Sequence, residues 1–255
     1  MAGPEGKGFK GCNGYVIDGV WYPRVTSIVS IKAKPALYRF YAELKNYAEG
    51  ESIKKSSAEE GTLVHETIEA ILKGEKVDID PRIAPSANAF LEFMEKTKIQ
   101  VDPEYVEKQV VNYDERYAGT IDSLALIDGK FGVLDIKTSQ AVYRDYNLQT
   151  SAYMAAFQDT LKNLSTRWIL RIDQAQSCLR CGATRRTKGG REKVKAPIRG
   201  GSASACPYGE HEWSDVKGII ELKEFPYWHD DYQAFLGAKK LWEWENEYWL
   251  KKIGY

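Results

Sequence analysis

The dipeptide Asp128-Gly129 most strongly restricts how this chain can fold, because it joins two runs of alternating apolar residues. Asp-Gly tolerates the left-handed backbone of a two-residue hairpin turn, so residues 120–137 are predicted to form two antiparallel strands. In the register of such a turn Asp122 faces Asp135, and their Cβ atoms lie roughly 5 Å apart. Carboxylates in this relation repel each other unless a positive charge lies between them.

Lys137 is the nearest source of positive charge, since it lies two residues after Asp135 and therefore on the same face of the strand. This face is expected to be partly buried, which would make unpaired carboxylates costly. The apolar residues that share it are Leu124, Leu126, Phe131 and Val133. Two interpretations remain open: the aspartates hold a divalent metal ion, as in sites that act on phosphodiesters, or they belong to an ordinary surface strand.

Composition restricts the size of the domains and the location of the protein more than it restricts the function. With 255 residues, of which 43% are hydrophobic, the chain can bury the core of one large domain with an embellishment, or of two domains. The 36 acidic and 36 basic residues balance, so any affinity for nucleic acid has to come from local clusters. No run of roughly 18 apolar residues predicts a membrane span, and residues 1–8 lack the apolar core of a signal peptide. A flexible leader and a cytoplasmic location are therefore expected.

Hydrophobic periodicity and turn signals predict an α/β fold, with a mixed central sheet flanked by helices. Ser56 or Ser57 is predicted to cap a helix over 56–73, which carries His65 and ends before Gly74. The other predicted helices span 24–31, a stretch from Pro35, 82–98, 144–162 and 228–253. The predicted strands are a small hairpin at 15–22, and then 104–113, 117–127, 131–138, 165–173 and 216–225.

The stretch between the last two predicted strands is strongly basic. Between Arg180 and Arg199 the chain has a single acid, Glu192. The candidates for contacts with nucleic-acid phosphates are Arg185, Arg186, Lys188, Arg191, Lys193 and Lys195. A mobile, solvated loop is the equally strong alternative for such a composition.

The same stretch contains three of the four cysteines. Cys178-x-x-Cys181, followed by Cys206 and His211, has the spacing of a structural zinc site, in which each pair of ligands approaches one tetrahedral ion from its own side. Such an ion would stabilise an insert, residues 177–213, that has almost no apolar core. Free thiols without a metal are the alternative.

Four short motifs occur in order along the chain. They are Gly61-Thr-Leu-Val-His65, Gly119-Thr-Ile-Asp122, Asp135-Ile-Lys137 and Gln149-Thr-Ser-Ala-Tyr153. Together they resemble the GxxxH, GxxD, DxK and QxxxY motifs of RecB-like nucleases in the PD-(D/E)XK superfamily, a group that includes phage exonucleases and CRISPR-associated adaptation nucleases. The resemblance covers about residues 60–160.

The resemblance implies a role for each motif residue. A catalytic Mg²⁺ or Mn²⁺ ion would be held by His65, Asp122, Asp135 and the carbonyl of Ile136. Lys137 would polarise the attacking water and stabilise the charged intermediate. Gln149 and Tyr153 would brace the catalytic site or contact the nucleic-acid backbone.

The resemblance also implies a domain arrangement. Residues 56–176 and 214–255 would form a restriction-endonuclease-like αβββαβ core with a C-terminal helix. Residues 1–55 would form a hairpin and helical region before it, and residues 177–213 the metal-binding insert.

The implied activity is hydrolysis of phosphodiester bonds in DNA by a metal-dependent exonuclease that acts on single strands or free ends. A structure- or sequence-specific endonuclease is the alternative within the superfamily, and a DNA-end-binding module with little turnover is the alternative outside the enzymes. The chain has no Gly-x-x-x-x-Gly-Lys-[Ser/Thr] loop for ATP, so a coupled helicase or recombinase would be a separate chain. DNA is the expected partner, and no membrane partner is expected.

The resemblance adds a third hypothesis for the cysteines. Some RecB-like nucleases hold an iron–sulfur cluster with one cysteine before the nuclease motifs and three after them, and Cys12 precedes the motifs here. The long gap between Cys181 and Cys206 departs from the compact spacing of such clusters, whereas His211 suits zinc. Zinc is therefore the favoured prediction.

Overall fold

The computed structural model of the protein describes residues 6–196, residue 206 and residues 210–255, with side chains from residue 8 onward. Over these residues the chain is an α/β protein, in which a mixed seven-stranded sheet lies between two groups of helices. Every helix in this part of the chain is too short or too polar to cross a membrane.

Two strands and five helices precede the central sheet. They are α1 (Gly6–Asn13), β1 (Gly14–Ile17), β2 (Val20–Pro23), α2 (Val25–Val29), α3 (Pro35–Ala42), α4 (Tyr47–Leu72) and α5 (Ala84–Thr97). The β1–β2 hairpin turns at Asp18-Gly19, where both residues have positive φ angles (49° and 79°), as the Asp-Gly rule predicts. The predicted leader is helical from Gly6, and residues 1–5 lie outside the described residues.

The other elements follow after α5. They are β3 (Gln100–Val101), a single 3-10 turn (Pro103–Tyr105), β4 (Lys108–Asn112), β5 (Tyr117–Ile121), β6 (Ser123–Ile127), β7 (Lys130–Lys137), α6 (Asp145–Phe157), β8 (Thr166–Ser177), β9 (Thr184–Lys188), β10 (Arg191–Lys195), β11 (Lys217–Glu224), α7 (His229–Glu245) and α8 (Glu247–Ile253).

Strand β7 lies inside the sheet. The strand order is β3, β6, β7 and β8, and β11 pairs with the other side of β8. β6 and β7 are antiparallel, whereas β7 and β8 are parallel and are joined through α6. The C-terminal end of β8 pairs with β9, so the β9–β10 hairpin adds two strands to the sheet. In the sequence this hairpin lies between β8 and β11, within the predicted insert. β4 and β5 form a separate ribbon.

Alternation along β6 and β7 divides the core into two layers. Leu124 and Val133 pack in the layer that contains residues of α1, α2, α6, α7 and α8. Leu134 and Ile136 pack on the opposite face, in the layer with α4 and α5. Asp135 lies between these last two residues in the sequence and therefore points towards the α6 side.

The hairpin at Asp128-Gly129 is confirmed, but it ends one pair earlier than predicted. Asp128 and Gly129 have φ angles of 50° and 77°, and the strands pair in the predicted register from Ile127–Lys130 to Ser123–Leu134. Asp122 then lies in a bend that separates β5 from β6. The single strand predicted over 117–127 is therefore wrong, because β5 leaves this ladder to pair with β4.

Helix α4 begins at Tyr47, so the predicted cap at residues 56–57 is wrong. The Asn46 side chain caps the helix instead, and it accepts a hydrogen bond from the backbone N–H of Glu49 (2.9 Å). The first turns of α4 contain few apolar residues, so the periodicity that marks the rest of the helix is weak there.

Two further predictions are corrected. The predicted helix 228–253 is interrupted at Asn246, whose side-chain amide donates a hydrogen bond to the Trp242 carbonyl (2.7 Å). The second concerns the basic stretch: a mobile loop is one of the two alternatives for it, but residues 184–195 form a paired hairpin. Its turn is Gly189-Gly190, and both glycines have positive φ angles (63° and 78°), which glycine adopts without steric cost.

Replacing Arg167 tests the packing of β8 against α6 and α7. Arg167 is fully buried, forms an ion pair with Asp231 and donates a hydrogen bond to the Asn147 carbonyl (3.0 Å). Arg167→Met is expected to lower the free energy of unfolding by about 3 kcal/mol, because it leaves the half-buried Asp231 and buried carbonyls without their partner. Urea denaturation measures the loss, with Arg82→Met in an exposed ion pair with Asp80 as the control. Equal small losses in both variants would contradict this account.

Candidate active site and metal centre

The Asp135 side chain is the centre of the candidate active site. It lies near the end of β7 and is only 1% exposed. Lys137 Nζ lies 2.5 Å from its Oδ2, and Gln149 Nε2 on α6 donates a hydrogen bond to its Oδ1 (3.1 Å). One helical turn further on, the Tyr153 hydroxyl oxygen accepts a hydrogen bond from Gln149 Nε2 (3.1 Å). The residues of the DxK and QxxxY motifs therefore form one contiguous group.

Asp122 reaches this group from the bend between β5 and β6. Its Oδ2 accepts a hydrogen bond from the backbone N–H of Ile136 (2.5 Å), the residue between Asp135 and Lys137. The two aspartates are therefore neighbours across the β7 backbone, rather than members of a strand pair as the hairpin register predicts.

His65 is brought to the site by close contact between α4 and the end of β7. Gly61 lies one helical turn before His65, and a Cβ at Gly61 would come within 2.9 Å of Thr138 Oγ1. Burial lowers the pKa of the His65 imidazole, against the opposing attraction of Asp122. The imidazole is therefore neutral at physiological pH, which is the form that binds metal ions.

Negative charge is concentrated here in a region from which water is largely excluded. Burial raises the pKa of Asp135 to about 7, and the Asp122 carboxylate adds to this rise while Lys137 opposes it. Burial acts to lower the pKa of Lys137, yet the two carboxylates raise it above its ordinary value. Lys137 therefore keeps its positive charge beside the two aspartates.

One oxygen of this centre has unused bonding capacity. Asp135 Oδ2 is buried and accepts no hydrogen bond of normal geometry, although Lys137 Nζ forms an ion pair with it. A buried carboxylate oxygen of this kind is costly unless a further positive group binds it. Together with Asp122 and His65 it provides the oxygen and nitrogen donors that Mg²⁺ or Mn²⁺ accepts. The types of donor atom therefore match those that such an ion binds.

Glu107 is a neighbour of the site that the sequence analysis misses. It lies between the 3-10 turn and β4 with a positive φ angle (54°), and its N–H donates a hydrogen bond to the Asp122 carbonyl (3.1 Å). Partial burial, Asp122 and Glu69 raise the pKa of its carboxyl group to about 7. No motif marks Glu107, because only the tertiary structure brings its carboxyl group into the field of Asp122.

The predicted zinc ligands come together in the insert. Among the residues that the structure describes, one group of three or more His, Cys, Asp or Glu residues has all its ligand atoms within 4.8 Å of one another. Its members are Cys178, Cys181, Cys206 and His211. A metal ion such as zinc can be held by these four side chains. The donor atoms of Asp135, Asp122 and His65 do not all lie within 4.8 Å of one another.

The distances in this Cys/His cluster match a tetrahedral ion. Cys178 Sγ lies 3.7 Å from Cys206 Sγ, and Cys181 Sγ lies 3.5 Å from His211 Nδ1. Ligands bound to zinc at about 2.3 Å (sulfur) and about 2.0 Å (nitrogen) in tetrahedral geometry are separated by about 3.8 Å and about 3.5 Å respectively. Although burial opposes ionisation of Cys178, bonds from the Cys181 N–H and the His211 side chain lower the pKa of its thiol to about 5. Thiolate is the metal-binding form.

Cys12 does not belong to the Cys/His cluster. It lies in α1 and is exposed, whereas Cys178 and Cys181 are buried. The ligand atoms of the Cys/His cluster are close enough together to bind one ion. The cysteines of an iron–sulfur cluster bind different iron atoms and therefore lie farther apart.

The basic residues of the insert lie on β9 and β10, where four of the six have partners within the protein. Arg186 Nε contacts both carboxylate oxygens of Asp173 (2.8 Å each), and Lys188 Nζ donates to the Thr138 carbonyl (2.6 Å). The other two contacts join Arg191 to Glu43 (2.8 Å), and Arg185 Nε to the Gln176 side chain (2.9 Å). The hairpin is thereby held against the loop that follows Lys137.

Comparison with known proteins adds no family assignment, since no family model and no curated protein matches the chain. The resemblance to RecB-like nucleases rests on the four motifs and stays a prediction.

Substituting Gly119 tests how tightly the site is packed. A Cβ at Gly119 in β5 would lie 2.5 Å from Cε1 of the Tyr153 ring, which is fully buried. Gly119→Ala is therefore expected to lower the free energy of unfolding by about 1–3 kcal/mol, because the ring has no room to move. Urea denaturation measures this loss.

A control and a rescue make this test specific. Gly237→Ala adds a methyl group in open space on α7 and is expected to be neutral or stabilising. Adding Tyr153→Leu to Gly119→Ala is expected to give less than the sum of the two single losses, because both changes act on the same contact. Fully additive losses would show that the contact is not tight.

Proposed function

We propose that the protein is a divalent-metal-dependent nuclease that hydrolyses phosphodiester bonds of DNA, acting on single strands or free ends. The observation that carries the proposal is the ion pair between the buried Asp135 and the half-buried Lys137, with the Asp122 carboxylate accepting a hydrogen bond from the backbone N–H of Ile136 between them. Hydrolysis of a phosphodiester needs oxygens that bind a cation and a positive group for the charge that develops on the phosphate. Both are present in this one centre.

The residues of the site have separate tasks in this proposal. Lys137 directs its ammonium group at the phosphate and stabilises the negative charge that develops there. Gln149, itself bonded to Tyr153, fixes the orientation of the Asp135 carboxylate. When bound, Mg²⁺ or Mn²⁺ supplies Lewis acidity and lowers the pKa of a coordinated water. The groups that hold the ion are Asp122, Asp135, the Ile136 carbonyl and His65.

Substitutions at the buried pair test the activity. Asp135→Asn and Lys137→Ala are each expected to reduce metal-dependent cleavage of end-labelled single-stranded DNA about 100-fold or more, because each removes charge that the transition state requires. His65→Ala is expected to raise the Mg²⁺ concentration needed for cleavage. Rates are measured with Mg²⁺, with Mn²⁺ and with chelator, and circular dichroism checks that each variant is folded.

The matched control is Lys130→Ala, which removes a lysine from the same strand but from an exposed ion pair with Glu224. It is expected to keep wild-type activity. Full activity of Asp135→Asn would contradict the proposal, and so would wild-type protein that binds DNA without metal-dependent turnover. Circular single-stranded DNA separates the two nuclease types, since an exonuclease leaves it intact and an endonuclease cleaves it.

The Cys/His cluster supports a structural zinc ion in the same protein. The insert residues described around the cluster form a very small apolar group, made of Cys178, Cys181 and Ala183 with Cys206 and Trp213 packed against them. So small a core stabilises little on its own. An ion that joins the two ends of the insert would supply the missing stability.

Elemental analysis of purified protein tests this part of the proposal. One zinc ion per chain is expected, and Cys206→Ser is expected to lose it and to unfold locally at lower urea concentration, because three ligands hold zinc less tightly than four. Cys12→Ser is the control and is expected to keep the zinc. A brown sample that contains iron, or a Cys206→Ser variant with unchanged zinc, would contradict the assignment.

A further inference from the structure

One face of the β9–β10 hairpin has an unusual arrangement of like charges. The strand register places Arg186 opposite Lys193 and Lys188 opposite Arg191, while Lys195 lies opposite Thr184. Directly paired residues point to the same side of a hairpin, so five basic side chains share one face. We call these residues, Arg186, Lys188, Arg191, Lys193 and Lys195, the basic hairpin face. Like charges in direct cross-strand pairs destabilise a hairpin, so the arrangement requires compensating negative groups.

The protein itself compensates only part of this charge. Arg186 is paired with Asp173, Arg191 with Glu43, and Lys188 Nζ donates to a backbone carbonyl. Within the described residues, the amino groups of Lys193 and Lys195 form no ion pair and no hydrogen bond, and both side chains are exposed. One member of the Arg186–Lys193 cross-strand pair therefore faces solvent without an acid to offset it.

The basic hairpin face borders two clefts that share Lys193. The first, of about 200 Å³, begins at Gln140, three residues after Lys137, and continues past Arg186 to Lys195. The second, of about 400 Å³, lies between β10 and α3 and is lined by Arg39 and Phe40. One cleft begins beside the loop that follows Lys137 and the other is bordered by α3. Each cleft is lined by one acid, Asp173 or Glu43, and by a larger number of basic side chains.

Helix α3 offers aromatic rings beside the second cleft. None of its residues is buried, although it contains Tyr38, Phe40 and Tyr41. The Arg191 guanidinium lies over the Phe40 ring, 5.0 Å from its centre, so the cation and the aromatic ring form one stacked pair beside the second cleft. This combination is typical of surfaces that bind unpaired bases and their phosphates.

From these features we infer that a single strand of nucleic acid lies along the basic hairpin face and passes between β10 and α3. Its phosphates contact Lys193, Lys195 and Arg39, and a base stacks on Phe40. A single strand fits this surface better than a duplex, because the second cleft has a volume of only about 400 Å³, is closed on one side by the Arg191–Glu43 ion pair and is too small to enclose a duplex. The inference rests on the proposed nuclease function and specifies how its substrate is held.

The test measures binding separately from cleavage. Fluorescence anisotropy with a labelled single-stranded oligonucleotide, in buffer without added Mg²⁺ or Mn²⁺, is recorded over a series of salt concentrations. Lys193→Ala/Lys195→Ala is expected to make the plot of log affinity against log salt shallower by about 1.4, because each phosphate contact to a single strand contributes about 0.7. Phe40→Ala is expected to weaken binding about 5- to 150-fold with an unchanged slope, because it removes stacking rather than charge.

Lys96→Ala/Lys251→Ala is the charge-matched control, since it removes two exposed lysines that border neither cleft. It is expected to leave the slope unchanged. An unchanged slope in Lys193→Ala/Lys195→Ala, or a duplex of the same sequence bound as tightly as the single strand, would overturn the inference. If wild-type protein shows the expected binding pattern but no metal-dependent cleavage, the strand path stands and the nuclease function fails.

Discussion

The burial of the Asp135 carboxylate beside Lys137 is the interaction on which the candidate site depends. A carboxylate that is 1% exposed is stable only if positive and hydrogen-bonding groups surround it. Lys137 and Gln149 provide them from the same strand and from α6. Burial and the nearby Asp122 carboxylate raise the pKa of Asp135, so a bound cation would stabilise its ionised form.

Strand β7 positions the other parts of the site because it makes contacts on every side. Glycines at two of the motif positions permit close packing around the strand: Gly61 lets α4 approach Thr138 just after β7, and Gly119 in β5 makes room for the Tyr153 ring of α6. The β9–β10 hairpin then closes on the end of the strand, since Lys188 bonds the Thr138 carbonyl. At its turn the hairpin contacts α4, where the Gly189 N–H donates a hydrogen bond to Glu60 (3.4 Å). Its other end starts near the Cys/His cluster, so an ion bound there would fix the hairpin at the end opposite this contact.

Much of this arrangement follows from local sequence signals. The turn at Asp128-Gly129, the one-turn spacing of Gln149 and Tyr153, and the Cys-x-x-Cys pair each depend on neighbouring residues, and the structure places them as predicted. Predictions failed where distant contacts decide the outcome. The bend at Asp122 arises because β5 pairs with β4. The basic stretch forms a hairpin whose side chains are held by contacts with Asp173 and Thr138. The proximity of Glu107 to the site could not be predicted from the sequence for the same reason.

The most direct test of the central claim is the position of Mn²⁺ in crystals of the protein, located by its anomalous scattering. Mn²⁺ is expected to contact carboxylate oxygens of both Asp122 and Asp135 at about 2.0–2.2 Å, with the His65 imidazole next to the ion and Lys137 still paired with Asp135. Mn²⁺ that binds elsewhere while these two carboxylates bind none would contradict the account.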